Sequence, residues 1–189
     1  MRFPGGFFGK CLSVFLLFFF LSACIAHSKE PLSYDSLQVY FSPQGGCQQA
    51  IIGKIGKAKK TLDIAMFSFT NRELGNAVIA ARDRGVEVRV VLDESQAANK
   101  YSKKNYFLNK GISIRLARGL GRGIMHHKFA VIDGQVILTG SFNWTANAEE
   151  NNFENLLVIY SPVLAMKYAD EFQKIYGAAG EATIEQKRK

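Results

Sequence analysis

Residues 125–155 combine polar side chains with the apolar pattern of buried β-structure. Side chains in a strand alternate between its two faces, so His126 and Lys128 share one face while His127 points to the other. Hydroxyl, amide and carboxylate groups follow at Asp133, Ser141, Asn143 and Glu154. Metal-free phosphoryl transfer needs a nucleophile that works at neutral pH, donors around the phosphate oxygens and an acid that orients the nucleophile. The stretch therefore predicts a phosphoryl-transfer site.

A hairpin is expected to bring these groups together. Asp133-Gly134 lies between two short apolar runs, which is a hairpin signal. The hairpin would fold Ser141 and Asn143 back towards the strand of His126. Asp133 would stand at the far end of that strand and on its other face, so it is either a catalytic residue or a structural turn residue.

The order of these residues resembles the signature of the phospholipase D superfamily. A short chain with one copy of the motif is similar to the bacterial Nuc-type endonuclease branch of that superfamily. The resemblance covers about residues 37–176. The matching positions are His126, Lys128, Asp133, Gly140, Ser141, Asn143 and Glu154.

The resemblance implies a role for each residue. His126 would attack phosphorus and form a phosphohistidine. Lys128, Ser141 and Asn143 would bind the phosphate oxygens, and Glu154 would hold the second ring nitrogen of His126. The sequence has no CxxC, no HExxH and no carboxylate cluster, so we expect neither a metal nor another cofactor.

A symmetric homodimer is the expected active unit. The family, as the resemblance implies, builds its site from two motif copies, and this chain contains one. A two-fold axis brings the same patch of two subunits together, so His126 of a second chain would protonate the leaving oxygen.

The fold class expected from pattern and resemblance is α/β, with a mixed, largely parallel central sheet flanked by helices. Apolar runs and helical spacing alternate before the motif, in an order typical of parallel sheets. The expected strands are 37–41, 61–69, 86–92, 112–117 and 125–132, and the expected helices are 47–59, 71–84, 100–109 and 162–176.

The amino-terminal segment predicts export. Residues 1–23 carry Arg2 and Lys10 before an apolar run, which is the layout of a signal peptide. The sequence Leu-Ser-Ala-Cys that ends at Cys24 resembles a bacterial lipobox, so we expect a lipidated Cys24 and a periplasmic or outer-membrane location. Cleavage after Ala26 and an uncleaved anchor are the alternatives. Residues 24–36 would then be a tether, 37–176 the phosphodiesterase domain and 177–189 a flexible tail.

Positive charge favours a polyanionic partner. The net charge is +8, and without residues 1–23 it becomes +6 because Arg2 and Lys10 are lost. Arg115, Arg118 and Arg122 lead into His126 and are the predicted nucleic-acid-binding residues.

The leading functional hypothesis is a metal-independent, non-specific endonuclease that acts on DNA, with RNA as a further candidate substrate. The first alternative is a phospholipase D acting on phosphatidylcholine-type lipids. It is ranked lower because we expect no exposed hydrophobic loop after the signal segment. The second alternative is a non-catalytic DNA-binding lipoprotein of the cell surface.

Overall fold

An eight-stranded sheet with helices on both faces forms the frame that carries the motif. The computed structural model describes residues 35–183, which lie within one compact unit, Leu32–Lys189. The strand order is β1-β7-β6-β5-β2-β3-β4-β8. The strands are β1 (Ser36–Ser42), β2 (Thr61–Met66), β3 (Glu87–Asp93), β4 (Ser113–Ala117), β5 (Lys128–Ile132), β6 (Val136–Gly140), β7 (Glu154–Tyr160) and β8 (Gly180–Glu181).

Helices connect these strands and cover the sheet. They are α1 (Cys47–Ile55), α2 (Arg72–Asp83), α3 (Glu94–Ala97), α4 (Lys104–Leu108), α5 (Ala146–Glu150) and α6 (Pro162–Ala178). Helix α2 shows how sequence sets the bounds of a helix. The Asn71 side chain accepts a hydrogen bond from the Leu74 N–H at its start, and Gly85 adopts a positive φ just beyond its end.

Two apolar cores lie on opposite faces of the sheet. On one face, Leu62 and Ile64 of β2 belong to the larger core, which also contains buried residues of α1 and α2. On the other face, Ala65 packs in a smaller core that includes Phe172 of α6. The alternation along β2 therefore buries both faces of the strand, which explains its nearly continuous apolar sequence.

The mixed α/β fold is confirmed, but the expectation of a largely parallel sheet is wrong. Parallel pairing is confined to β2 with β3 and β3 with β4. All the other neighbouring strands of the sheet pair antiparallel. The turn between β5 and β6 has positive φ at both Asp133 and Gly134, 53° and 64°, which is the geometry of a tight hairpin and forces antiparallel pairing.

Several boundaries also differ from the sequence-based expectations. Strand β1 begins one residue inside the expected tether, and α6 continues to Ala178. The expected tail begins with ordered residues, since Gly180 and Glu181 pair with β4. The basic helix expected at 100–109 is only α4, and α3 was not expected.

The signal segment, Cys24 and residues 184–189 lie outside the described residues. Within residues 35–183, no helix combines the length and apolar character that crossing a membrane requires.

Candidate active site

One edge of the sheet gathers most of the motif. Strands β2, β3, β4 and β6 end at this edge, while β5 and β7 begin there, because β5 and β7 run antiparallel to their neighbours. We call it the site edge. It is defined by Met66, Asp93, Lys128, Gly140 and Glu154, and it positions His126, Lys128, Ser141, Asn143 and Glu154.

His126 and Lys128 lie on the same side of their segment, as expected. The His126 ring meets the Phe67 ring edge to face at 4.5 Å between centroids, and the Lys128 ammonium lies 4.8 Å from the centre of the same ring. His127 points the other way, with Nε2 3.6 Å from a Glu171 carboxylate oxygen on α6. The strand itself begins only at Lys128, but the alternation extends back through both histidines.

Lys128 occupies a partly desolvated position. Burial lowers the pKa of its ammonium, and the negative charge of Glu154 partly opposes that shift. Its Nζ donates a hydrogen bond to the His126 carbonyl at 2.9 Å. Because desolvation disfavours the charged ammonium, a phosphate that enters this position would gain a favourable interaction with it.

Ser141 and Asn143 lie where β6 has passed the site edge. The Ser141 hydroxyl oxygen accepts from the Asn155 backbone N–H at 3.1 Å, which leaves the hydroxyl hydrogen able to donate. The Asn143 side-chain oxygen is buried and has no hydrogen-bond partner among the described residues. Gly140 must be glycine here, because a Cβ would lie 2.2 Å from the Asn155 carbonyl oxygen and φ is +147°.

Glu154 lies at the site edge but does not hold His126. Its Oε1 accepts from the Asn152 amide at 3.1 Å, and within residues 35–183 no hydrogen bond joins it to His126. Strand β6 separates β7 from β5, which puts two strand spacings, about 10 Å, between the two segments. The negative charge of Glu154 interacts with the Lys128 ammonium and favours its protonated form.

Asp133 is at the opposite end of β5 from His126, so the structure does not bring this predicted catalytic residue to the site edge. Its carboxylate accepts from the backbone N–H groups of Lys59, Lys60 and Thr61 at 2.7 to 3.2 Å. Burial raises the pKa of this carboxyl, but the three N–H donors outweigh burial and lower it below the ordinary value. Asp133 thus fixes the loop between α1 and β2 to the hairpin.

The three arginines have different environments. Arg115 donates to the Tyr176 carbonyl at 2.6 Å and stacks its guanidinium 4.2 Å from the Tyr176 ring, so its interactions are structural. Arg118 pairs with Glu94. Arg122 is exposed and makes no hydrogen bond or ion pair within the described part of the chain. All three arginines remain predicted contacts for a polyanion, and only the Arg122 guanidinium has no hydrogen bond or ion pair among the described residues.

Two residues that support the site were not predicted. Asp93 is 1% exposed and accepts the Met125 N–H at 3.0 Å, which fixes the segment leading into His126. Its position at the end of a parallel strand is a signal that could have been used. The Phe67 ring contacts both the His126 ring and the Lys128 ammonium. Its sequence context is that of any apolar strand residue, so no signal in the sequence identifies it.

The expectation that no hydrophobic loop would be exposed is wrong. Leu120 is 99% exposed, Ile124 51% and Phe153 93%. All three lie in connections at the site edge, either just before His126 or just before Glu154. By contrast, Phe142 and Trp144 are only 2% exposed and belong to the core.

The described residues contain no group of three or more His, Cys, Asp or Glu side chains arranged to hold a metal ion. The donors gathered at the site edge are instead an imidazole, an ammonium, a hydroxyl and an amide, which suit a phosphate anion.

Sequence comparison places this arrangement in a family. Residues 51–176 match the family described as cardiolipin synthase, PLD-like domain. The mitochondrial cardiolipin hydrolase of Chlamydomonas reinhardtii is 38% identical over 122 residues, covering 65% of this chain and 54% of that protein. A phospholipase D of Rickettsia conorii is 34% identical over 137 residues, covering 72% of this chain and 68% of that protein. The chain spans about half the length of the cardiolipin hydrolases it matches.

Solved structures agree with this placement. Nuc from Salmonella typhimurium, a phospholipase D family member, superimposes with a TM-score of 0.75 at 33% identity, covering 79% of this chain and 99% of Nuc. NucT from Helicobacter pylori gives a TM-score of 0.74 at 30% identity, covering 78% of this chain and 99% of NucT. The chain therefore belongs to the phospholipase D superfamily, in its Nuc-type branch.

Proposed function

We propose that this phosphodiesterase cleaves DNA without sequence preference, by a metal-independent route through a phosphohistidine, with RNA as a further substrate to test. The observation that carries the proposal is the shared position of His126 and Lys128 against Phe67, at the edge where Ser141 and Asn143 also lie. The structural neighbours named Nuc and NucT support the nuclease assignment over a lipid substrate.

The chemistry divides into two displacements. In the first, a neutral His126 nitrogen attacks phosphorus and the P–O bond to the leaving oxygen breaks, while a second imidazole gives that oxygen a proton. In the second, water attacks the phosphohistidine, loses its proton to the same second imidazole and releases His126. Lys128 neutralises charge on the non-bridging oxygens, and Ser141 donates a hydrogen bond to one of them.

A phospholipid substrate is the second candidate, and a specific observation favours it. The exposed Leu120 and Phe153 flank the site, which is a feature that an enzyme acting at a lipid surface would use. The curated relatives are named cardiolipin hydrolase and phospholipase D, which agrees with this candidate.

A nuclease assay tests the proposal. Protein that begins at residue 27 should degrade single- and double-stranded DNA in excess EDTA. His126→Ala should lower the rate by roughly 10³-fold or more, because the nucleophile is lost. His127→Ala is the matched control, because that ring lies on the other face beside Glu171, and it should retain the rate.

The outcomes separate the candidates. Equal rates for wild type and His126→Ala would overturn the catalytic assignment. Wild-type protein that hydrolyses phosphatidylcholine in mixed micelles faster than plasmid DNA would reverse the order of the two substrates.

The signal pattern supports a further part of the proposal, namely export followed by lipidation of Cys24 and attachment to the outer membrane or release into the periplasm. Intact-mass measurement of the protein from the membrane fraction tests it. A mass lacking the lipid, or one that retains residues 1–23, contradicts it.

A further inference from the structure

Residues 118–124 form a tight hairpin immediately before His126. Its two legs pair through Arg118 and Ile124, and the Gly119 N–H donates to the Gly123 carbonyl at 3.1 Å. The Gly123 N–H donates in turn to the Leu120 carbonyl at 2.9 Å. The legs are so close that a Cβ on Gly119 would lie 2.8 Å from the Gly123 carbonyl carbon. The backbone therefore has a defined shape that places Leu120 at the tip.

The tip of this hairpin is apolar and fully in water. Leu120 is 99% exposed, so it contributes nothing to either apolar core. Ile124, on the returning leg, is 51% exposed. Phe153 is 93% exposed in a second connection at the same site edge, immediately before Glu154. The apolar side chains thus project from separate loops around a polar site instead of forming one flat patch.

Positive charge accompanies the apolar tip. Arg122 is next to the turn and makes no hydrogen bond or ion pair among the residues that the structure describes. Arg118 is paired with Glu94 at the base of the hairpin, so it adds no net charge. An aliphatic tip beside an unpaired guanidinium is suited to a surface that offers anionic groups above an apolar layer.

We propose that the hairpin 118–124 docks the site edge onto an anionic phospholipid bilayer, with Leu120 entering the layer between head groups and acyl chains. Arg122 contacts the lipid phosphates. This interaction surface goes beyond the hydrolytic activity, since it holds the site edge at a membrane whichever phosphodiester is cleaved.

The geometry favours a bilayer over a protein or a nucleic acid. A stable protein interface buries roughly 1,200–2,000 Å², so a protein partner would have to cover much of the site edge beyond the hairpin tip. A nucleic acid would use Arg122 but would gain little from a projecting leucine, because polyanion binding is dominated by contacts between phosphates and basic residues. A bilayer needs only the tip, since each apolar group that leaves water contributes independently.

The base of the hairpin adds a second structural argument. Its residues form one wall of a cleft of about 770 Å³ that reaches His126. Its lining combines apolar side chains, among them Leu116, Ile124, Met125 and Ile175, with the charged side chains of Glu94, Arg118, Glu171 and Lys174. Docking by the tip would therefore place the opening of this cleft, and the proposed nucleophile, next to lipid.

Vesicle co-sedimentation tests the proposal independently of catalysis. The protein would begin at residue 27, which keeps the whole compact unit, and carry His126→Ala so that no lipid is consumed. It should bind vesicles of phosphatidylglycerol and phosphatidylcholine more tightly than vesicles of phosphatidylcholine alone. Adding Leu120→Gln should weaken that binding roughly tenfold or more, because the transfer of a leucine side chain is lost.

Val163→Gln is the matched control. Val163 is 45% exposed in the first turn of α6, which follows the end of β7 at the opposite edge of the sheet, so this change should leave vesicle binding unaltered. Equal loss in both variants, or no loss in Leu120→Gln, would overturn the docking orientation.

A fluorescence measurement locates the tip directly. The chain has one tryptophan, Trp144, which is 2% exposed, so a Leu120→Trp indole would be the only one that reports on solvent. Its emission should shift to the blue on anionic vesicles and be quenched by brominated acyl chains. No shift, together with a Leu120→Gln change in dimer mass or in DNA binding, would instead assign the tip to a second copy or to a nucleic acid and overturn the proposal.

Discussion

The residues of one sequence motif lie in two different environments in this chain. His126 and Lys128 rest on Phe67 at the site edge, whereas Asp133 lies at the other end of β5 and binds three backbone N–H groups. Asp133 is the seventh residue after His126, and an extended strand spans roughly 3.3 Å per residue. The motif spacing thus places the proposed nucleophile at one end of β5 and the hairpin turn that sets the register of this strand at the other end.

Replacing Asp133 with Asn should lower the free energy of unfolding by roughly 1–2 kcal/mol at neutral pH, because charge-assisted hydrogen bonds become neutral ones. Asparagine tolerates the positive φ of this position, so the turn itself is retained. Urea denaturation of wild type and variant measures the difference. DNA hydrolysis per folded molecule should be unchanged, and a large loss of rate would return Asp133 to the catalytic set.

The difference in free energy of unfolding between wild type and Asp133→Asn should depend on pH. The folded-state pKa of Asp133 lies below its ordinary value of about 3.9, so its stabilisation is present above that pH and is lost as the pH falls through the folded-state pKa. The gap between the two urea midpoints should therefore narrow at acid pH. A gap that stays constant would contradict the charge-based explanation.

At the scale of elements, local patterns predicted the strands and helices more reliably than their pairing. The helical spacing of apolar residues gave the bounds of α2 within a residue, because this signal is local. The direction of pairing depends on which strands become neighbours, and β1 joins β7 from the far end of the chain. The hydrogen bond expected between Glu154 and His126 is not formed within the described residues, since β6 intervenes between β7 and β5. Exposure of Leu120 could not be inferred either, because a leucine between glycines has no periodic pattern.

The carboxyl-terminal elements depend on Arg115. It joins β4 to α6 through the Tyr176 carbonyl and ring, and its guanidinium lies 4.0 Å from the Glu181 carboxylate of β8. Arg115→Gln should lower the free energy of unfolding by roughly 1–2 kcal/mol, because a partly buried hydrogen bond and a cation–π contact are lost.

Arg122→Gln is the matched comparison for Arg115→Gln, since the Arg122 side chain is exposed and has no hydrogen bond or ion pair among residues 35–183. It should leave stability unchanged and weaken DNA binding, with a smaller dependence of affinity on salt. Thermal unfolding and a salt titration of binding measure the two effects. Weaker DNA binding in Arg115→Gln with unaltered stability would reverse these assignments.

At the scale of the whole molecule, we propose that the active unit is a homodimer with the site on its two-fold axis. Each chain contributes one His126, and the described site offers no other imidazole on the same face, since His127 faces α6. The nucleophilic imidazole is already bonded to phosphorus when the leaving oxygen needs a proton, so a second imidazole has to come from another chain.

Subunit mixing measures this requirement. When wild-type chains are combined with an excess of His126→Ala chains, activity should fall roughly as the square of the wild-type fraction, because mixed dimers lack one imidazole. Refolding the chains together ensures exchange. Activity proportional to the wild-type fraction, or a fully active monomer by light scattering, would refute the shared site.

The pairing of β1 with β7 has a consequence for how the chain folds. Ser36 pairs with Tyr160, so the outermost strand gains its partner only after most of the chain has been made. Until then β1 remains an unpaired strand with Leu37, Val39 and Phe41 along it, and these side chains stay more than 40% exposed even after pairing. Contacts between residues distant in sequence slow folding, and a free apolar strand invites association with other chains. A chaperone that binds extended apolar segments would therefore be expected to bind β1 while the chain folds and to leave when β7 pairs with it.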